Sequence, residues 1–115
     1  MRVLIVDDHP SFRASARNLL ESEGYEVVGE AADGAAALSA VEELHPDVVL
    51  LDIQLPDIDG FEVAERLCEL RSPPKVILTS SRDGVDYGSC VKTCGACGFV
   101  PKAELSGAVL TTLLA

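Results

Sequence analysis

Residues 3–12 read VLIVDDHPSF: four aliphatic residues, Val3 to Val6, run directly into Asp7 and Asp8, then a histidine and a proline. A continuous aliphatic run of this length suits a strand buried on both faces. Pro10 fits the first turn of a helix, Phe12, Ala16, Leu19 and Leu20 fall on one helical face, and Gly24 supplies the stop. The opening is therefore a strand–helix unit whose strand ends on two adjacent carboxylates.

The same grammar repeats along the chain. Residues 25–30 read as a second strand, and Asp33 caps a helix that carries Leu38, Val41 and Leu44 and ends at His45-Pro46. Residues 48–51 form another buried aliphatic run and stop on Asp52. The turn-rich loop QLPDIDG, residues 54–60, leads into a helix over 61–70 with Val63 and Leu67 inward, which Ser72-Pro73-Pro74 ends. Residues 75–79 give a fourth strand, 83–93 a weaker helix containing Gly84 and Gly88, 98–100 a fifth strand and 104–114 a last helix. Five strand–helix repeats with short connections predict an α/β, flavodoxin-like, doubly wound parallel sheet of order 2-1-3-4-5 with helices on both faces.

Composition agrees with one domain over residues 1–115. The chain has 115 residues, 48% of them apolar, without linker, internal repeat or low-complexity run. Nine basic against 19 acidic side chains give a net charge of −10, which repels nucleic-acid phosphates and anionic membranes, and no basic patch offsets it. No segment approaches the roughly 20 apolar residues of a spanning helix, and the N-terminal apolar run is too short for a secretory signal. A cytoplasmic protein is expected, with its four cysteines as reduced thiols.

In an open parallel sheet the ligand crevice lies beyond the carboxyl ends of the strands, where the strand order reverses. Those ends carry Asp7 and Asp8 after the first strand, Asp52 after the third, Thr79 and Ser80 after the fourth and Lys102 after the fifth. One aspartate there is ordinarily a cap or turn former. Three carboxylates, a hydroxyl pair and a lysine at one sheet edge are not explained that way, because carboxylates brought together repel and need counter-charge. A lysine and a hard divalent cation supply it, and magnesium also accepts phosphate oxygens into its shell.

The motifs VLIVDDHPSFR, VVLLDIQLPDIDGFE, KVILTS and GFVPKAELS together resemble the response-regulator receiver family of two-component signalling, over essentially the whole chain. The DDHPSFR start and the DIQLPDIDG loop most resemble receivers of LuxR- and NarL-type regulators. The resemblance implies Asp52 as phosphoacceptor, with Mg2+ held by Asp8, by Asp7 through water, by Asp52 and by the main-chain carbonyl of Gln54. It implies Lys102 as the partner of Asp52 and of a phosphoryl oxygen, Thr79 as the switch hydroxyl and Phe99 as the switch aromatic. It also implies a sensor histidine kinase or phosphotransfer protein as donor, and an output protein or domain as recipient of the signal. Such a receiver is a regulatory phosphoacceptor rather than an enzyme. Phosphorylation would remodel the face built by residues 83–93, the fifth strand and the last helix, and could drive homodimerisation there. Ser80 competes for the hydroxyl role, since Lys102 follows it by 22 positions and Thr79 by 23. The pattern LTS favours Thr79, with a one-residue insertion around 83–88.

Output stays open at this stage: the chain reads either as a stand-alone receiver or as the N-terminal part of a DNA-binding transcription regulator, with no direct nucleic-acid contact of its own. Competing constellations are weaker. CVKTCGAC, residues 90–97, has the C-x3-C-x2-C spacing of iron–sulfur enzymes, yet such enzymes are larger and the acidic edge would go unexplained. The pair Cys94 and Cys97 precedes a strand, where a redox motif would follow one. A magnesium-dependent phosphohydrolase of the haloacid-dehalogenase type needs an acid two residues after its nucleophile, and that position is Gln54. No G-x-G-x-x-G follows the first strand. His9 and His45 read as structural, with His9 rimming the site.

Overall fold

In the computed structural model, which describes residues 1–80 and 95–114, each aliphatic run is a strand: β1 Arg2–Val6, β2 Glu26–Ala31, β3 Val48–Asp52, β4 Lys75–Ser80 and β5 Gly98–Pro101. They form one sheet in the order β2-β1-β3-β4-β5. All four pairings are parallel, as the strand–helix alternation predicts. The helices are α1 Pro10–Ser22, α2 Gly34–Leu44, α3 Gly60–Cys68 and α4 Gly107–Leu114. The helix expected over 83–93, the insertion around 83–88, Cys90 and Cys94 lie outside the described residues.

Strand alternation divides the core in two. Leu4, Val6, Val49, Leu51, Val76 and Leu78 face α2 and α3, where Ala37, Val41, Val63, Ala64 and Leu67 cover them. Val3, Ile5, Val48, Leu50 and Ile77 face the other way, onto Ala16 and Leu20 of α1 and Leu110 and Leu114 of α4. Leu4, Ile5, Leu50, Leu51, Ile77 and Leu78 are sealed from solvent. Each such burial contributes about 1.5–3 kcal/mol, so the strands are fixed in register and their carboxyl ends with them.

The helix ends follow local chemistry. Asp33 accepts from the Ala36 amide at 2.7 Å and Asp59 from the Glu62 amide at 2.9 Å, each capping its helix. Gly24 turns the chain out of α1 with φ of +90°. Several boundaries differ from the sequence expectation, most of them by one residue. β2 runs from Glu26 to Ala31, one residue later than the aromatic start at Tyr25 suggests. α3 stops at Cys68 because the amides of Glu69 and Leu70 bond back three residues, to Arg66 and Leu67, and tighten the turn. The last helix starts at Gly107 rather than 104, since Lys102–Glu104 form a separate 3-10 turn and the Ser106 hydroxyl accepts from the Val109 amide at 3.2 Å. Serine competes for the amides that would otherwise begin a longer helix.

Candidate functional site

β1 delivers Asp7 to the sheet edge by prolonging its ladder: the Asp7 amide donates to the Ala31 carbonyl at 2.9 Å. Asp7 is fully buried and Asp52, the last residue of β3, is 2% exposed. In the register of β3 and β4, Asp52 lies beside Thr79. Alternation places Asp52 with Val48 and Leu50, and Thr79 with Ile77, so both belong to the α1–α4 side of the sheet. Ser80 alternates to the opposite side. Spacing alone leaves these two hydroxyls in competition, and the pleat separates them.

Lys102, just past β5, reaches back over this edge. Its Nζ lies 2.6 Å from Asp7 Oδ2 and 3.4 Å from Asp52 Oδ2. The closer approach is an ion pair out of line for a hydrogen bond, so among the described residues the buried Asp7 Oδ2 is met by charge rather than by a hydrogen bond. The Phe12 ring lies 4.4 Å from the same Nζ, which adds a cation–π contact. The Gln54 amide donates to Asp52 Oδ1 at 3.1 Å. Burial pushes the Asp52 carboxyl above its ordinary value of 3.8; the Gln54 amide opposes this, Asp7 reinforces it and Lys102 opposes it.

At the rim, Asp8 is partly exposed. The His9 Nδ1 lies 3.0 Å from Asp8 Oδ1 and 3.1 Å from Asp7 Oδ1, and the His9 amide donates to Asp7 Oδ1 at 2.8 Å. One donor atom from each of Asp7, Asp8, His9 and Asp52 falls within 4.8 Å of all the others. An oxygen-rich set with several negative charges fits a hard divalent cation. Thr79 is 1% exposed, and its Oγ1 has no hydrogen-bond partner among the described residues. Phe99 is half-buried against the α2–α3 cluster.

A model of the response regulator receiver domain matches residues 3–114. The chain belongs to the response-regulator receiver family. It is 41% identical over 103 residues to the transcription regulator BvgA of Bordetella pertussis, an alignment covering 90% of this chain and 49% of BvgA. It superposes on the receiver domain of the response regulator NarL from Mycobacterium tuberculosis with a TM-score of 0.86 and 39% identity, over 99% of this chain and 96% of that one. The CheX–CheY–BeF3–Mg2+ complex of Borrelia burgdorferi matches with a TM-score of 0.86 and 28% identity, over 99% and 86%. The chain spans about half the length of the transcription regulators it matches. Asp7, Asp8 and Asp52 thus make the acidic cluster typical of a receiver magnesium site. Among the described residues, no helix is long and apolar enough to cross a membrane.

Sequence reasoning located Asp7, Asp8, Asp52 and Lys102, and these four converge in the receiver. It missed three features. Phe12 was read only as core, although its ring backs Lys102. Asp57, in the loop after β3, accepts from the Gly34 and Ala35 amides at 2.8 and 2.9 Å and fastens that loop to the start of α2. Those bonds hold its carboxyl below the usual range. Arg13 donates to the Asp7 carbonyl at 2.5 Å. The signal for Arg13 was available as a basic residue one turn after the acidic pair, with Glu30 at the end of the neighbouring strand.

Proposed function

We propose that this chain is a phosphorylation-activated receiver in which Asp52 accepts a phosphoryl group from a sensor histidine kinase or a phosphotransfer protein. The observation that carries the proposal is the convergence on one sheet edge of a buried carboxylate, a lysine 3.4 Å from it and a buried hydroxyl that has no hydrogen-bond partner among the described residues. An Asp52 carboxylate oxygen attacks phosphorus in line and the bond from phosphorus to the donor nitrogen breaks. The imidazole then leaves with its electron pair and a proton taken from solvent. Asp8, Asp52, the Gln54 carbonyl and, through water, Asp7 would hold Mg2+. That ion supplies charge neutralisation for the phosphoryl oxygens. Lys102 shifts its charge from the carboxylates toward a phosphoryl oxygen, and phosphoryl transfer needs little beyond such positioning and neutralisation.

Thr79 then donates its hydroxyl to another phosphoryl oxygen, and Phe99, on the opposite face of the sheet beside Leu78, reorients as the end of β4 shifts. Coupling between site and surface is a population shift, driven by contacts made only in the phosphorylated state. We take residues 1–115 as one receiver module acting in the cytoplasm. Its output surface, β5 and α4 with the segment before them, would act on a partner, a second copy or an output domain. Kinship with transcription regulators favours control of transcription as the output. A phosphohydrolase reading has no support at position 54, where the Gln54 side chain replaces the required acid.

The test is intact mass after incubation with Mg2+ and acetyl phosphate. A single phosphoryl adduct in the wild type, absent from Asp52→Asn, is expected; equal adducts in both would overturn the assignment.

A further inference from the structure

The two carboxylates after β1 must hold a fixed separation, yet they sit on a loop joining a strand to a helix, with Asp8 partly exposed. One side chain outside the acidic cluster grips that loop. The Arg13 guanidinium donates through Nη1 to the Asp7 carbonyl at 2.5 Å and through Nε to Glu30 Oε1 at 3.0 Å. The Asp7 carbonyl belongs to the peptide unit that joins Asp7 to Asp8, so restraining it restrains how both carboxylates are presented. The planar guanidinium fork spans two acceptors at once, and its side chain is only 18% exposed. Glu30 is itself held, because its second oxygen accepts from Arg17 Nε at 2.9 Å. Glu30 sits at the end of β2, so the brace runs from the neighbouring strand through Arg13 to the acidic loop.

We infer that Arg13, buttressed by Glu30, is a positioning residue that sets the Asp7–Asp8 geometry for a divalent cation. The inference rests on the receiver reading and deepens it. Its sign is opposite to that of simple electrostatics. Removing a positive charge near an acidic cluster should tighten cation binding, whereas removing the brace should weaken it, in the way loss of an outer-shell partner costs about 10- to 100-fold in metal affinity.

The chain lacks tryptophan, so Mg2+ affinity is read by isothermal titration calorimetry on the whole chain. The expected result for Arg13→Met is about a 10-fold weaker Kd. Arg13→Lys, which keeps the charge but loses the fork, recovers only part of that loss. Arg66→Met removes a positive charge from an exposed ion pair with Glu62 on α3, outside the brace, and its Kd stays within about two-fold of wild type. Melting temperature without metal is measured in parallel, because a purely structural role would lower it and leave the Kd unchanged. An unchanged or tighter Kd in Arg13→Met overturns the inference alone; no Mg2+ binding by the wild type overturns the receiver-site reading with it. If Arg13→Met does not fold, Glu30→Gln decides: weaker Mg2+ binding supports the brace and unchanged binding overturns it.

Discussion

Replacing Thr79 by valine should make the receiver more stable and less able to respond. Threonine and valine have nearly the same shape and both suit a strand. Thr79 is 1% exposed and its Oγ1 finds no partner among the described residues, so none of them compensates the desolvation of the hydroxyl. Such a group costs about 1–3 kcal/mol, and substituting a methyl removes the cost. A gain of about 1–2 kcal/mol is expected, which for a domain of this size raises Tm by about 4–8 °C. Thr79→Ala should be less stable than Thr79→Val, because it also removes a buried methyl group. The assay is urea unfolding followed by circular dichroism, without metal and then with Mg2+ and beryllium fluoride as phosphoryl mimic. The mimic should stabilise wild type more than Thr79→Val, since only wild type gains a new hydrogen bond. A Thr79→Val chain less stable than wild type without metal would refute the reasoning, because the hydroxyl would then be satisfied.

The Asp52 carboxyl stands above its ordinary value mainly through burial. The stability it contributes is fully present below the unfolded value of 3.8 and is lost as pH rises through the higher native value. Asp52→Asn should therefore be more stable than wild type at neutral pH, with the advantage shrinking as pH falls toward 3.8, as paired denaturation curves without metal would show. At Gly60 a β-carbon would lie 2.4 Å from the Asp52 carbonyl oxygen and 2.6 Å from Ile53 Cα. Both are backbone atoms, so Gly60→Ala should cost about 1–3 kcal/mol by thermal melting and slow adduct formation on Asp52. Asp57→Ala should release the loop after β3 from α2, read as faster hydrogen exchange at the Gly34 and Ala35 amides. In wild type that exchange should also accelerate as pH falls through the depressed Asp57 value, after correction for intrinsic rates, because protonation weakens both bonds.

Local patterns carried the strands and the acidic edge, because buried aliphatic runs and strand-end aspartates are written in consecutive residues. Thr79 against Ser80 shows where this stops. Counting positions back from Lys102 depends on the intervening chain, while the face each hydroxyl occupies depends on the pleat of β4 relative to Asp52. The contacts of Arg13, Glu30 and Asp57 were only partly legible for a related reason. Their hydrogen-bond partners lie between 6 and 23 positions away, and meet them only after helix and strand have docked. Lys102 stands beside Asp52, to which it donates at 3.4 Å, and also 2.6 Å from Asp7 Oδ2, a second contact that spacing along the chain does not show. The start of the last helix moved because Ser106, whose capping strength is plain in retrospect, lay inside the apolar periodicity that defined the helix.

The central claim is that Asp52 takes the phosphoryl group, and locating that group tests it most directly. An acyl phosphate is reduced by borohydride to an alcohol, which converts the modified aspartate to homoserine and marks the position permanently. After treatment with Mg2+ and acetyl phosphate followed by borohydride, peptide mass spectrometry should find homoserine at position 52 and aspartate retained at positions 7 and 8. Conversion at position 7 or 8 instead, or none at any position despite a phosphoryl adduct on the intact chain, would contradict the account.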